Sequence, residues 1–403
     1  MRVLISGAGP AGLSVAYWLK KYGFKPTLIE WAPALRKGGY KIDVRGVALE
    51  VLRRMGIYDI VAKTSTDMQG ALLVDGDGKV INEMNSDTFG HRMNDDQEIM
   101  RGTLCQILMD QIPEVEIIFG DSIRAISQTA NAVQVEFKEN KPRAFDLVIG
   151  ADGLHSNVRQ LVFGDESRFA HEFGIYICVF TIQNYLNLDR MEIQYTEFGR
   201  VAAVWSTRGD TDARASFAFV SPMHVEPRNI IAQQQLVRTV FEGINGEVPK
   251  MLQMMPDAPD FYFDVAAQIR MDHWFSGRVI LLGDAAYCPS PMSGQGTSLA
   301  LVGAYVLAGE LAAARGNFQT AFDQFEREMG LFIKINQALG IKAAKFFRSQ
   351  EKKNLFAWLI GKIMNVAPGR MIEFFINRIT KRIHQAANSI ILKDYSQQTD
   401  ADI

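Results

Sequence analysis

Apolar and polar positions follow different periods along this chain, and the changes of period divide it. Arg2–Ser6 is a short apolar run closed by a glycine, which predicts a buried strand. From Ala11 to Tyr22 the apolar positions Leu13, Ala16 and Tyr17 recur at helical spacing and stop at Gly23, a residue suited to ending a helix. Lys25–Glu30 reads as a second strand. A strand–helix–strand opening predicts a parallel, doubly wound sheet. Val44–Met55 reads as a helix closed by Gly56, and Ala71–Met84 as a hairpin around Asp75-Gly76-Asp77-Gly78. Thr103 with Gln106 reads as a capping box opening a helix to Asp110. Ala144–Ile149 and Val279–Leu282 are two more buried-strand candidates, each followed by a glycine and an acid.

Between about 172 and 220 the texture changes. Gly174–Ile182, Met191–Thr196, Val201–Ser206 and Ala213–Val220 are strand-like at roughly ten-residue spacing, with few helix signals. They predict an antiparallel sheet inserted into the first domain. After Thr297 the pattern is helical to the end. Leu355–Ile360 is apolar nearly all round, and Ile372, Phe375, Ile376, Ile379 and Ile383 form an amphipathic stripe with Lys381 and Arg382 off it. The fold class is therefore α/β: a Rossmann-type domain with an inserted antiparallel-sheet domain and a C-terminal helical extension.

Composition narrows the function classes. With 48% hydrophobic and 22% charged residues over 403 positions, the chain has the make-up of a folded protein with a large core. A net charge of −2 offers no general attraction for nucleic acid. That total hides an asymmetry: Lys342–Lys393 holds eleven Lys/Arg against two acids, +9, leaving −11 elsewhere. Three cysteines with no close pair exclude a disulfide framework and a cysteine-rich zinc site. The glycine motif at Gly7 leaves no room for a signal peptide before it, and the apolar run Leu299–Gly309 is too short for a bilayer. The expectation is a cytoplasmic protein with no membrane span, no metal and a monomeric state.

Gly7-Ala8-Gly9-Pro10-Ala11-Gly12 matches G-x-G-x-x-G between a strand and a helix. The first glycine makes the turn, the second admits a diphosphate, and the third lets helix pack on strand. The diphosphate would lie at the helix N-terminus, whose free N–H groups favour an anion. Glu30 ends the next strand, 18 residues beyond Gly12, placed for a ribose hydroxyl. This unit predicts dinucleotide binding but leaves FAD and NAD both open.

Two distant segments complete the picture. One is Gly150-Ala151-Asp152-Gly153-Leu154-His155-Ser156-Asn157-Val158-Arg159; the other is Gly283-Asp284-Ala285-Ala286-Tyr287-Cys288-Pro289. With the opening motif, in this order, the chain resembles the single-component FAD-dependent flavoprotein monooxygenases of the aromatic-hydroxylase fold over about residues 1–340. That resemblance implies FAD as cofactor and NADPH as transient reductant, since no second glycine motif is present. It implies Asp284 at the ribityl chain, Asp152 in a segment tied to both FAD and NADPH, and Arg101 beside the diphosphate. It further implies that Pro291, Gly294, Gln295, Gly296 and Thr297 border the flavin ring, where a C4a-(hydro)peroxyflavin transfers oxygen. Lys37, Gly39 and Arg45 would cross the flavin's other side. No protein nucleophile or base is required, because a flavin carries the chemistry. The family's asparagine after Gly-Gln-Gly is replaced here by Thr297.

Three stretches carry a closer resemblance: Arg36–Gly39 with Asp43–Gly46, Tyr287–Pro291, and Leu301–Leu311. They are similar to the tetracycline destructases, implying oxidation of a polycyclic tetracycline with O2 as co-substrate, and antibiotic resistance. On the inserted sheet, Met191, Ile193 and Tyr195 offer one apolar face and Phe217, Phe219, Met223 and His224 a candidate substrate wall. Two alternatives stay open: a hydroxylase of another aromatic or polyketide metabolite, and a membrane-associated flavin reductase that inserts no oxygen. The expected division is FAD-binding parts at 1–70, 99–170 and 265–345, substrate parts at 71–98 and 171–264, and a helical extension over 346–403 covering the pocket entrance.

Overall fold

The opening unit forms as strand Arg2–Ser6, helix Pro10–Lys21 and strand Lys25–Glu30. Pro10 sits in the first helical turn, where its missing N–H has no bond to lose. The computed structural model describes residues 1–35, 39–197, 199–223, 225–226, 229–349 and 369–398, with backbone alone over 369–375. The two strands lie in a six-stranded sheet ordered Phe275–Ser276, Val279–Leu281, Leu147–Gly150, Arg2–Ser6, Lys25–Glu30, Glu116–Phe119. All neighbours run parallel except the Phe275–Ser276 edge. The sheet's buried strands are apolar on both faces, as parallel strands covered by helices must be. Helix Gly296–Ala313 is long and apolar enough to cross a membrane, yet 83% of it is buried, packed between Pro10–Lys21 and Phe318–Ser349.

A second, seven-stranded sheet has the order Tyr262–Ile269, Ala170–Gln183, Asp212–Val220, Arg200–Trp205, Met191–Glu197, Gly70–Val74, Val80–Asn85. Its strands are antiparallel apart from the parallel contact of Met191–Glu197 with Gly70–Val74. The hairpin turn closes where Asp75 Oδ1 accepts the Asp77 and Lys79 N–H groups. Helices Ile230–Phe241 and Val248–Met254 cover one face around Phe180, Phe217, Phe219 and Val237.

Several boundaries differ from the periodic reading. Lys41–Val44 is a strand paired with Gln97–Met100, so the following helix starts at Val47. The helix to Asp110 begins at Arg101, with Met100 as a cap that makes no side-chain bond. Thr103 is thus inside the helix, and Gln106 donates to Asp110 Oδ1 (2.7 Å) instead of capping. Ala144–Ile149 splits into Arg143–Phe145 and Leu147–Gly150, which join different sheets.

The C-terminal end is not helical throughout. Helix Gly369–Ala387 gives way to an irregular strap before Ser396–Gln398. Lys393 pairs with Glu310 (2.8 Å) and Glu328 (2.9 Å), and the Tyr395 hydroxyl donates to Glu310 (2.6 Å). Tyr395 lies so close to Gly309 that a side chain there would collide with its ring. Part of the basic tail is therefore neutralised on the core helix. Among the described side chains of Gly369–Ala387, Thr380, Ala386 and Ala387 are buried, Thr380 lying 3.0 Å from His91 Nδ1, while Ile379 of the expected stripe is exposed. Leu355–Ile360 falls outside the described residues.

Candidate functional site

The glycine motif forms a tight cradle. Gly7 has φ +103°, and a Cβ there would sit 2.5 Å from the Ala151 carbonyl oxygen; a Cβ on Gly12 would sit 1.9 Å from that of Gly7. Ala11, in the first turn of the helix, lies beside Gly283, where a Cβ would sit 3.1 Å from the Ala11 methyl. Among the described residues no side chain caps the helix N-terminus, which leaves its first N–H groups available to a ligand. Glu30 closes the cradle: its carboxylate accepts the Ala8 N–H (2.8 Å) and the Ala32 N–H (3.0 Å). These two bonds aim it at the motif and leave lone pairs for a hydroxyl.

Arg101 is brought here from far along the sequence. Its backbone N–H donates to the Tyr40 carbonyl (3.1 Å), and its guanidinium comes within 3.3 Å of a Cβ placed on Gly9. Gly39, with φ +94°, faces the Arg101 Cβ. No hydrogen bond to the guanidinium occurs among the described residues, whereas Arg45, Arg92 and Arg159 are all engaged. A half-buried cation beside a glycine cradle and free helical N–H groups has the chemistry of a diphosphate site.

Asp284 opens the segment after strand Val279–Leu281. Burial pushes its carboxyl pKa up, against the opposing effects of a Cys288 hydrogen bond and the Arg101 charge. Its Oδ1 lies 3.7 Å from a Cβ placed on Gly296. The following loop exposes Pro291 and Gly294, half-buries Gly296 and Thr297, and encloses Gln295 completely. Neither amide atom of Gln295 has a partner among the described residues. Helix Gly296–Ala313 thus begins one residue earlier than its pattern suggests, with its N-terminal turn toward this surface.

Asp152 has a different position. It is half-buried and engaged within the protein, accepting from Ser156 Oγ, the Val158 N–H (3.1 Å) and Ser6 Oγ (3.4 Å). Arg159, fully buried, donates to the carbonyls of Ala285 (2.9 Å) and Leu154 (2.6 Å) and pairs with Glu166. The Gly150–Arg159 segment therefore ties the glycine cradle to the Asp284 segment. The sequence displays Arg159 only as the last residue of that segment, with no role attached; it lies in the first turn of the short helix Asn157–Phe163.

Arg45 turns its guanidinium inward, to the carbonyls of Gly90 (2.6 Å) and His91 (2.5 Å) and to Asp43 (2.8 Å). Its backbone N–H donates to Ser298 Oγ (3.1 Å). Lys37 and His224 lie outside the described residues. Met223 is half exposed at a strand end, its carbonyl accepting from the Tyr176 hydroxyl (2.8 Å).

Phe217 and Phe219 fall on the wrong side of their sheet for a substrate wall. They are 1% and 0% exposed and pack on Phe241, with ring centroids 4.8 and 5.8 Å away. Ile193 and Tyr195 share that helix-covered face. Successive side chains on a strand alternate between faces, so the opposite parity faces the first sheet. Pairing aligns Gln194, Ala203, Ser216, Val179 and Tyr262 in one row, with Glu192, Trp205, Arg214 and Thr181 in the next. This face meets the glycine-cradle side at several points. Trp205 clusters with Met100, Lys41 lies 4.7 Å over the Trp205 ring and pairs with Glu192 (2.7 Å), and Tyr262 stands 5.9 Å from the Tyr40 ring. Met292 packs with Ile175, Val220 and Ala266. Half-buried Arg214 leaves its Nε without a partner among the described residues. The alternation Arg214, Ser216, Ala218 against Ala215, Phe217, Phe219 was visible in the sequence; which set faced the cleft was not.

Comparison with known proteins agrees with this geometry. A family model described as an FAD binding domain matches residues 1–328. A flavin-dependent monooxygenase of Legionella longbeachae is 39% identical over 91% of this chain and 96% of its own length. Among solved structures, the tetracycline destructase Tet(55) is 37% identical with a TM-score of 0.87, and Tet(51) is 36% identical with a TM-score of 0.85. Each alignment covers 98% of both chains.

Proposed function

Because the chain belongs to the FAD-binding-domain family and is an FAD-dependent monooxygenase, we propose that it oxidises tetracyclines, using NAD(P)H as reductant and O2 as co-substrate. The observation that carries the substrate class is the cleft-facing row of the second sheet. Ala203 and Val179 are its apolar positions, with Gln194 and Ser216 as polar handles, and the neighbouring row adds Trp205 and Arg214. A flat polycycle bearing oxygen and amide substituents needs that combination. The resemblance to Tet(55) over nearly the whole chain supports the same reading.

Reduced FAD, when bound, supplies the oxygen activation. The protein's own residues position and shield. Arg101 and the free N–H groups of helix Pro10–Lys21 would hold the diphosphate, Glu30 the adenosine ribose, and Asp284 the ribityl hydroxyls. The N-terminus of Gly296–Ala313 would supply partial positive charge to a reduced ring held beside it. Tyr40 and Tyr262 rim the cleft and limit water.

Purified protein with FAD, NADPH and a tetracycline tests the proposal. The expected result is loss of the substrate's enone absorbance in step with NADPH oxidation, and a product heavier by one oxygen atom, the second oxygen leaving as water. NADPH consumption with the chromophore intact overturns it and points to another aromatic or polyketide substrate.

A further inference from the structure

Behind the 287–296 loop lies a set of side chains that the site does not use. We propose that Gln268 and Gln337 are positioning residues: together they hold this loop, with Ser290 strained, in the form that receives the flavin ring. The inference rests on the reading that residues 291–297 border that ring.

Three consecutive loop carbonyls point away from the cleft and are met by two amides. Gln337, on helix Phe318–Ser349, donates from Nε2 to the carbonyl of Ile269 (2.8 Å), with those of Tyr287 and Cys288 each at 3.4 Å. Gln268, fully buried on strand Tyr262–Ile269, donates to the carbonyls of Pro289 (3.1 Å) and Gln337 (2.7 Å). Its Oε1 is fixed in turn by Arg270 (2.7 and 3.1 Å). The Ile269 N–H donates to the Cys288 carbonyl (3.2 Å). The second sheet, the long helix and the loop are thereby joined at one point. A Cβ on Gly340 would sit 2.4 Å from the Pro289 carbonyl oxygen, so only glycine lets the helix come this close.

The loop cannot hold this shape alone. Pro289 and Pro291 have no N–H to donate. Ser290, between them, has φ +77° and ψ +145°, a region glycine occupies freely and serine does not. The other non-glycine residues at positive φ among those described lie between 48° and 56°, in the milder left-handed region. Strain of this kind persists only where surroundings over-determine it. Here the Ser293 N–H (3.0 Å) and Oγ (2.9 Å) bind the Ser290 carbonyl from the front, and the two glutamines hold the preceding carbonyls from behind. Released, Ser290 would relax toward an ordinary φ, and the exposed Pro291 and Gly294 would swing with it.

The test is FAD affinity by flavin fluorescence, the visible spectrum of the bound flavin, and the melting temperature of the apoprotein. Gln337→Met removes the donor at similar volume; Gln268→Glu keeps an acceptor for Arg270 but loses the donor to Pro289. Both variants are expected to weaken FAD binding about tenfold and to shift the bound-flavin absorption band, the loss of one or two hydrogen bonds. Ser290→Gly is expected to keep or raise the apoprotein melting temperature while also weakening FAD binding. FAD affinity within about twofold of wild type and an unshifted spectrum in both glutamine variants overturn the proposal, even if melting temperature falls. Gly296→Val separates the proposal from the reading beneath it: if this variant binds FAD normally, the loop does not border the ring, and the underlying reading fails with the proposal.

Discussion

The two sheets of this protein meet a ligand in opposite ways. The six-stranded sheet uses its ends: turns at Gly7, Ala151 and Gly283 bring backbone groups together, and side chains such as Glu30 and Arg101 complete the cradle. On the proposed function the seven-stranded sheet would use one face, with Gln194, Ser216, Arg214 and Trp205 selected by strand parity. An end-built site depends on glycine, which the sequence displays. A face-built site depends on which side of the sheet is covered, and that is decided by distant helices.

This comparison can be broken at either end. The largest expected effect is Gly12→Val, whose side chain has no space beside the Gly7 carbonyl: FAD content of the purified protein should drop at least about tenfold, read from the flavin-to-protein absorbance ratio. Normal FAD content would show that the cradle tolerates a side chain, against the backbone-built description.

The next contrast is within one strand. Phe217→Ala should cost about 3–5 kcal/mol in denaturant unfolding, the usual range for an enclosed phenylalanine. Arg214→Ala, three residues away on the other face, should cost less than about 1 kcal/mol yet raise the KM for tetracycline about tenfold. If Phe217→Ala raised KM while retaining full stability, the face assignment would be reversed.

Arg101→Met should weaken FAD binding by about 1.5–3 kcal/mol, the value of a charge-assisted hydrogen bond, measured by titrating apoprotein with FAD. An unchanged affinity would mean the guanidinium serves the fold alone. The smallest effect concerns the junction of the sheets. His155 bridges Glu166 (2.8 Å) and Asp264 (3.2 Å), and these hydrogen bonds, Asp264's first, raise its pKa to about 10. A raised pKa means stability present in full below the unfolded value near 6.5 and lost as pH rises through 10. His155→Gln should therefore destabilise by about 1 kcal/mol or less at pH 6, the bridge being half exposed, and have no effect at about pH 11. Equal effects at both pH values would remove the ionic account.

Residue by residue, legibility followed locality. The Gly7–Gly12 motif and Glu30 needed only adjacency and one strand–helix–strand unit, and the first strands form with the boundaries their pattern sets. The expected capping box at Thr103 did not form because strand Gln97–Met100 pairs with Lys41–Val44 and delivers the chain into a helix at Arg101. Arg45 reads as a flavin-side contact, yet the 90–96 loop takes its guanidinium from 45 residues away. The C-terminal strap was hidden too: Lys393 and Tyr395 sit in a stretch without period, and only the buried Glu310 explains them.

Sequence by itself determined the fold class, the glycine cradle and the two acidic turns, because each rests on short-range rules of backbone geometry and on glycine where a side chain would collide. Tertiary structure alone decided which parity of the second sheet is left uncovered by its helices and that Asp152 is bound by Ser156 and Val158. It alone decided, too, that Gln268 and Gln337 meet behind the loop. The reason is common to all three: burial and pairing depend on elements tens to hundreds of residues away, and a chain's local pattern carries no record of which distant partner will cover it.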